Sequence, residues 1–343
     1  MKVLEISTGT AAACAGLLLA ELGFCVDRLA SQSRHPHTDD SDSRAHELFF
    51  NRAKQTVSQD EIEFENYDAI VEDCGEETLR GIGLSYAAMH QSNPTLAVVS
   101  LSHFGLSGPY SDWLATDLNA QAAGGVLHVA GYDEETPRKL PGDTAAMIAG
   151  VHGATAVIST VFGIQQGIET GVHVDISAQD TLMQHWTRHV ADYAYSGTPL
   201  RRQPREPRGI HFRHTAKAKD GWIFMLALRQ PWQDVAAFLG LSEFITPELM
   251  QPDAEQPWDE MADAFTDAVS RQSRYDWFEQ AAELDWTFAP VEDPWAVANG
   301  PQTQARGSMH DVQLNDRTIK IPGLPFRFDS TNGQTDEQEP PNE

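Results

Sequence analysis

The sequence predicts an α/β fold with a parallel sheet, continued into a second, smaller domain. Three observations lead there. Lys2-Val-Leu-Glu-Ile-Ser7 reads as a strand, a loop and a helix over about 12–22 follow it, and Gly23 ends the helix before a second strand at Phe24–Leu29. Strand, helix and strand in so short a span form a βαβ unit, which builds a parallel sheet with helices on its faces. A chain of 343 residues suits two cores better than one. Composition also changes sharply over 197–214, where three prolines stand among clustered arginines, and we place the domain boundary there.

The remaining elements follow in order. The first loop, Thr8-Gly-Thr-Ala-Ala, lacks G-x-G-x-x-G, so the dinucleotide fingerprint is absent. The helix N-terminus behind it could still receive an anion. Residues 31–44 are polar and irregular and read as an exposed loop; its His35 and His37 have carboxylate neighbours, which alone do not make a metal site, and no metal is expected. Asp68–Asp73 is the third strand and Leu96–Leu101 the next, stopped by the turn residues Gly105, Gly108 and Pro109. From Thr144 to about Ile164 nearly every residue is small or apolar and none is proline, which predicts a largely buried helix with Asp143 at its N-cap. Beyond Val174-Asp-Ile-Ser177 a helix runs to about Tyr195, its His185, Trp186 and His189 at the spacing of packing residues. Arg201, Arg202, Arg205, Arg208 and Arg213, with Arg188 just upstream, form either a solvated basic linker or an anion-facing segment. Thr215–Met225 reads as a hairpin turning at Asp220-Gly221, followed by helices over 232–239, 259–270 and 274–284. Residues 329–343 carry Gln, Glu, Asp and Pro without apolar partners, a composition that predicts disorder.

Bulk composition excludes several functions. A net charge of −26 argues against nucleic acid, whose phosphates require a basic footprint. Of the 24 basic residues six are lysine, a balance that suits either a highly solvated or high-salt surface or an acidic bacterial protein with a bias to arginine. The first residues enter a strand directly, so neither a signal peptide nor a membrane anchor is expected. Cys14, Cys25 and Cys74 show neither metal spacing nor the density of a disulfide framework, and the location expected is cytoplasmic.

Four motifs stand in one order: Ser102-His-Phe-Gly-Leu-Ser-Gly-Pro-Tyr110, Asp117-Leu-Asn-Ala-Gln-Ala122, Gly142-Asp143 with Gly150-Val-His152, and Val174-Asp-Ile-Ser177. Together they resemble the class III CoA-transferases, the CaiB/BaiF family, and the likeness continues through nearly the whole chain. It implies a Rossmann-like large domain built from both chain ends (1–196 and 285–328), a linker (197–214) and a small α+β domain (215–284). Trp286–Val291 would be the strand returning to the large domain and Ile321–Arg327 the closing strand. The resemblance further implies an interlocked dimer. Coenzyme A or acyl-CoA would be a substrate rather than a resident cofactor, with a small carboxylic acid as co-substrate. Positions matching CoA-contacting segments are Thr10 and Ala11 in the first loop, Arg52 and Lys54 of Asn51-Arg-Ala-Lys54, Asp73 and Cys74 of the nucleotide loop, and Ile82.

The family's transfer uses an enzyme carboxylate as nucleophile, dry surroundings, and N–H groups aimed at the developing oxyanion. An aspartate at a helix N-terminus meets those needs, and Asp143 is the acid in that segment. The same Asp143 also reads as an ordinary helix N-cap, worth about 1 kcal/mol. In the family pattern the nucleophile stands four residues before a helix glycine, and counting back from Gly150 reaches Ala146. Two readings follow: Asp143 is the nucleophile through a local insertion, or the chain is a degenerate CoA-binding or structural subunit beside an active paralogue. The sister activity, 2-methylacyl-CoA racemisation, places a histidine before the aspartate of D-L-x-A-Q-A; here that residue is Thr116, which counts against it.

Overall fold

The structure is a computed structural model and describes residues 1–30, 41–168, 170–185, 187–202, 212–227, 232–251, 255, 257–314 and 317–328. His35 and His37, Trp186, Arg205 and Arg208, and the tail 329–343 lie outside the described residues, as do the side chains of Arg188 and Arg213. The chain divides into two compact units. The first spans Met1–Gly131 and Glu135–Arg202; the second holds Tyr132–Glu134 and the described residues from 212 onward.

Six strands form the sheet of the first unit: β1 (Lys2–Ile6), β2 (Cys25–Leu29), β3 (Gln55–Val57), β4 (Ala69–Glu72), β5 (Ala97–Ser102) and β6 (Val172–Ser177). Their order is β3-β2-β1-β4-β5-β6, every pair parallel. The helices are α1 (Thr10–Glu21), α2 (Ser41–Asn51), α3 (Gly75–Gly81), α4 (Tyr86–Ser92), α5 (Asp117–Ala123), α6 (Val126–Val129), α7 (Thr144–Gln165), α8 (Ala178–His185) and α9 (Thr187–Ser196). Alternation along the strands serves both faces at once. Val3, Ala69, Val71, Ala97, Val99 and Leu101 pack with α1 and α7, whereas Leu4, Ile6, Ile70 and Val98 pack with Leu79 of α3 and Met89 of α4. Strand order reverses direction between β1 and β4, and open sheets of this kind bind ligands in the crevice beyond the carboxyl ends at that point.

Two glycines bring α7 onto α1 and β5. A Cβ on Gly150 would lie 2.6 Å from the Ala11 carbonyl oxygen and 2.7 Å from Cys14 Cβ, and one on Gly153 would lie 3.1 Å from Leu101 Cδ1. Gly150 is thus required by helix packing. By length and composition α7 could cross a bilayer (mean hydropathy 1.6), yet Ala149, Gly150, Gly153, Ala154, Val157 and Val161 are buried within this unit.

In the second unit β7 (Phe212–Lys217), β8 (Trp222–Ala227) and β9 (Thr287–Pro290) form an antiparallel sheet. The hairpin predicted over 215–225 is β7–β8, closed by the Ala218 amide on the Gly221 carbonyl at 2.8 Å. Against this sheet lie α10 (Trp232–Phe238), α11 (Trp258–Val269) and α12 (Arg274–Glu283), with Met225, Val235, Met261, Phe265, Trp277 and Phe288 in the core. There follow α13 (Pro294–Asn299), α14 (Pro301–Arg306) and a two-stranded ladder of β10 (Met309–Leu314) with β11 (Arg317–Pro322). Here the structure departs from expectation. Trp286–Val291 does not return to the first sheet; as β9 it pairs with β8, Leu226 opposite Thr287 and Ile223 opposite Pro290. Ile321 belongs to a local hairpin, opposite His310. All six strands of the large sheet precede residue 178.

Candidate active site

The crevice beyond β1, β4 and β5 gathers residues from distant parts of the chain. At the end of β1, Thr8 and Gly9 lead into α1. Asp73, just past β4, accepts the amides of Thr8 at 2.6 Å and Gly9 at 3.1 Å through Oδ1, and that of Ala12 at 3.1 Å through Oδ2. The positive end of α1, the place where an anion could dock, is therefore filled by the protein's own carboxylate. Burial pushes the Asp73 carboxyl up, opposed by these amide donors.

Asp143 stands at the N-cap position of α7, but its side chain caps nothing. The cap comes from Asp117, whose Oδ1 accepts the Ala146 amide at 3.0 Å. Asp117 is in turn held by Gln121, which donates to its Oδ2 at 2.5 Å and accepts the Leu140 amide at 2.8 Å. The D-L-x-A-Q-A motif thus fastens the loop that carries Asp143 and satisfies the helix end. Relieved of capping, the Asp143 carboxylate turns to α1 and accepts the Thr10 hydroxyl proton at Oδ2, 2.7 Å away. Thr10 Oγ1 also lies 3.1 Å from His46 Nε2 on α2. Ala146, the position reached by counting from Gly150, presents its amide to Asp117 from inside the first turn and carries no reactive group.

The other motifs brace the same rim. Asp175 Oδ2 accepts the Leu106 amide at 2.9 Å, and Ser102 Oγ accepts the Gly105 amide at 2.8 Å. Gly105 turns there with φ of +92°, a conformation that favours glycine. The Gln179 amide donates to the His103 carbonyl at 3.1 Å, so β6 and α8 hold the loop after β5. Burial lowers the pKa of the His103 ring, while the nearby carboxylates of Asp73 and Asp117 act the other way. Thr116, where the racemase pattern has histidine, is a helix cap: its amide and hydroxyl both donate to Asn119 Oδ1, at 2.9 and 2.8 Å.

The residues matched to CoA-contacting segments are not all brought together. Thr10 and Asp73 lie at the crevice, with Ala11 one residue into α1. Arg52 is elsewhere: it donates to Glu21 Oε1 at 2.5 Å at the opposite end of α1 and lies over the Phe49 ring. Lys54 is closed off from solvent, its side chain 1 % exposed, paired with buried Glu5 at 2.5 Å and donating to the Ala13 carbonyl at 2.8 Å. Burial pushes Glu5 up and Lys54 down, each opposed by the other's charge. The Cys74 thiol and amide both point to Glu72 Oε2, at 3.4 and 2.9 Å, and burial raises the thiol far above its ordinary range. Ile82 ends α3, its carbonyl accepting from Gln59 and its side chain half-buried against Leu79 and neighbours. No sequence signal pointed to His46, since 36 residues and an irregular segment separate it from Thr10. The family motif did flag Asp117 and Gln121, though without their task.

The first unit thus has Rossmann strand order and, beside its switch point, an aspartate whose side chain does not cap its own helix. The family model described as CoA-transferase family III matches residues 64–343, and the chain belongs to that family. It is 21 % identical to a succinate–glutarate CoA-transferase of Agrobacterium fabrum, covering 94 % of this chain and 87 % of that protein. It is 23 % identical to a succinyl-CoA:mesaconate CoA-transferase of Haloarcula hispanica, covering 96 % and 90 %. In fold it is similar to a CaiB/BaiF family protein from Brucella suis, with a TM-score of 0.84 at 21 % identity over 96 % of this chain and 91 % of that one.

Proposed function

We propose that this protein transfers coenzyme A between an acyl-CoA and a carboxylic acid, with Asp143 carrying the intermediate. The observation that carries the reading is the division of labour at α7: Asp117 caps the helix, and the Asp143 carboxylate is left uncapped beside the switch point. In the proposed sequence, Asp143 attacks the thioester carbonyl and CoA leaves as thiolate, giving a mixed anhydride. The thiolate then attacks the Asp143 carbonyl carbon, releasing the donor acid and leaving an aspartyl-CoA thioester. The acceptor carboxylate attacks that thioester, forming a second anhydride, and the expelled thiolate takes the new acyl group and frees Asp143. The N-terminal dipole of α7 favours the ionised nucleophile and developing oxyanions.

Function as a dimer belongs to the same proposal. In the single chain Phe162 of α7 is 61 % exposed and Tyr195 of α9 is 98 % exposed, with Met147, Val151, Val190 and Tyr193 also open to solvent. So much apolar surface on helices of an α/β unit suits burial against a second copy.

The test is mass spectrometry after incubation with succinyl-CoA, which the names of several relatives carry, and glutarate, mesaconate or oxalate as acceptors, acids that relatives' names also carry. Hydroxylamine converts an activated aspartyl group to a stable hydroxamate. A hydroxamate at Asp143, absent in Asp143→Asn, is the expected result. A second reading, a subunit that binds CoA without turning it over, draws on Ala146, which stands where the family pattern has the nucleophile and carries no reactive group. CoA binding with no mass shift for any acyl-CoA would favour it.

A further inference from the structure

We propose that Thr10 is the oxyanion donor for the carbonyl that forms on Asp143, and that His46 is the positioning residue that aims it. The inference rests on Asp143 as nucleophile. The proton inventory of the three groups fixes the direction of the chain. A carboxylate only accepts, so the 2.7 Å contact between Thr10 Oγ1 and Asp143 Oδ2 requires the hydroxyl proton between them. Thr10 has no second proton, so His46 Nε2, 3.1 Å from the same oxygen, must be the donor to it. The chain runs His46 Nε2–H to Thr10 Oγ1–H to Asp143 Oδ2. Phe50, buried against α1, holds the imidazole with ring centroids 4.5 Å apart.

With Oδ2 held by Thr10, Oδ1 is the oxygen left to attack a thioester. Once Oδ1 is acylated, Oδ2 becomes the carbonyl oxygen of the intermediate, already facing a donor. Two steps of the transfer attack the Asp143 carbonyl carbon: thiolate on the anhydride, and acceptor carboxylate on the thioester. In both, negative charge collects on Oδ2, and the Thr10 proton is in place to receive it without reorganisation. The bond from His46 polarises that hydroxyl and strengthens its donation. No proton leaves the chain in either step; charge appears on Oδ2 and returns to the leaving group.

Single-turnover reaction with succinyl-CoA, followed by mass spectrometry of the Asp143–CoA adduct, reads these steps. Thr10→Val is expected to slow adduct formation by about 10²-fold. His46→Phe, which keeps the ring packing and lacks the donor, is expected to slow it about fivefold. His46→Gln, with an amide N–H near the Nε2 position, restores most of the rate, and KM for succinyl-CoA changes little in either. Long-range ¹⁵N NMR of the wild-type protein supplies a readout independent of turnover: His46 carries its proton on Nε2, and Thr10→Val shifts that resonance. Equal losses in His46→Phe and His46→Gln, or an unprotonated Nε2, would overturn the role of His46. A wild-type protein that shows the Nε2–H signal but forms no adduct would remove Asp143 as nucleophile, and the proposal with it.

Discussion

Lys54 shows what a residue name in a motif does and does not reveal. A lysine after Asn51-Arg-Ala suggests a phosphate ligand, yet the chain folds it inward, with Ala53 at φ of +62° turning the backbone beneath α1. The partner, Glu5, sits mid-strand, and the one trace of the pair in the sequence is Gly16. A Cβ there would fall 1.8 Å from the Glu5 carboxylate oxygen, so the helix must leave that space empty. Taking one charge away leaves the other buried and unmatched. Lys54→Met is therefore expected to lower stability by about 3–5 kcal/mol, and Glu5→Leu with Lys54→Met to recover most of that loss. Urea unfolding of the wild type, Glu5→Leu, Lys54→Met and the double variant closes the cycle, and additive losses would contradict the pairing. Asp143 was legible in sequence because small apolar residues follow it for more than five turns. That its side chain would leave the cap to Asp117 was not, because that depends on a residue 29 positions before the capped Ala146.

Elements with a strong period were legible and those fixed by partners were not. The first βαβ unit, α7 and the β7–β8 hairpin follow from alternation, composition and turn chemistry. β3 has three residues, too few for a pattern, and the segment after it forms two short 3₁₀ turns, Gln59–Glu61 and Phe64–Asn66, equally short of a period. β9 was legible as a strand, but its pairing with β8 is a matter of register between segments 61 residues apart. The contact of α1 with α7 gives a prediction at this scale. Gly150→Ala puts a methyl group against the Ala11 carbonyl and is expected to lower stability by about 1–3 kcal/mol and to lift Thr10 from Asp143, reducing adduct formation. Gly81, with open space around its would-be Cβ, is the control: Gly81→Ala is expected to raise stability by about 0.4–1 kcal/mol. Thermal melts of both variants decide it, and an unchanged midpoint in Gly150→Ala would refute the close-packing account.

At the scale of the molecule, charge and apolar surface pull in opposite directions. Each chain carries −26, so two copies repel, while the exposed faces of α7 and α9 favour association. A dimer that tightens as salt screens the repulsion is expected by light scattering between about 0.05 and 0.5 M salt; a monomer throughout would contradict it. The route of the chain after the proline- and arginine-rich stretch was not legible in sequence, since local pattern does not say which sheet a strand joins. The bond between Thr10 and Asp143 has a further consequence in time. Those residues are 133 positions apart, and at ~5–20 residues per second a growing chain waits roughly 7–27 s between making one and making the other. Until α7 has been made and seated on α1, the carboxylate has no fixed orientation. A nascent or truncated chain thus cannot assemble the site, which comes into being only when the first unit closes.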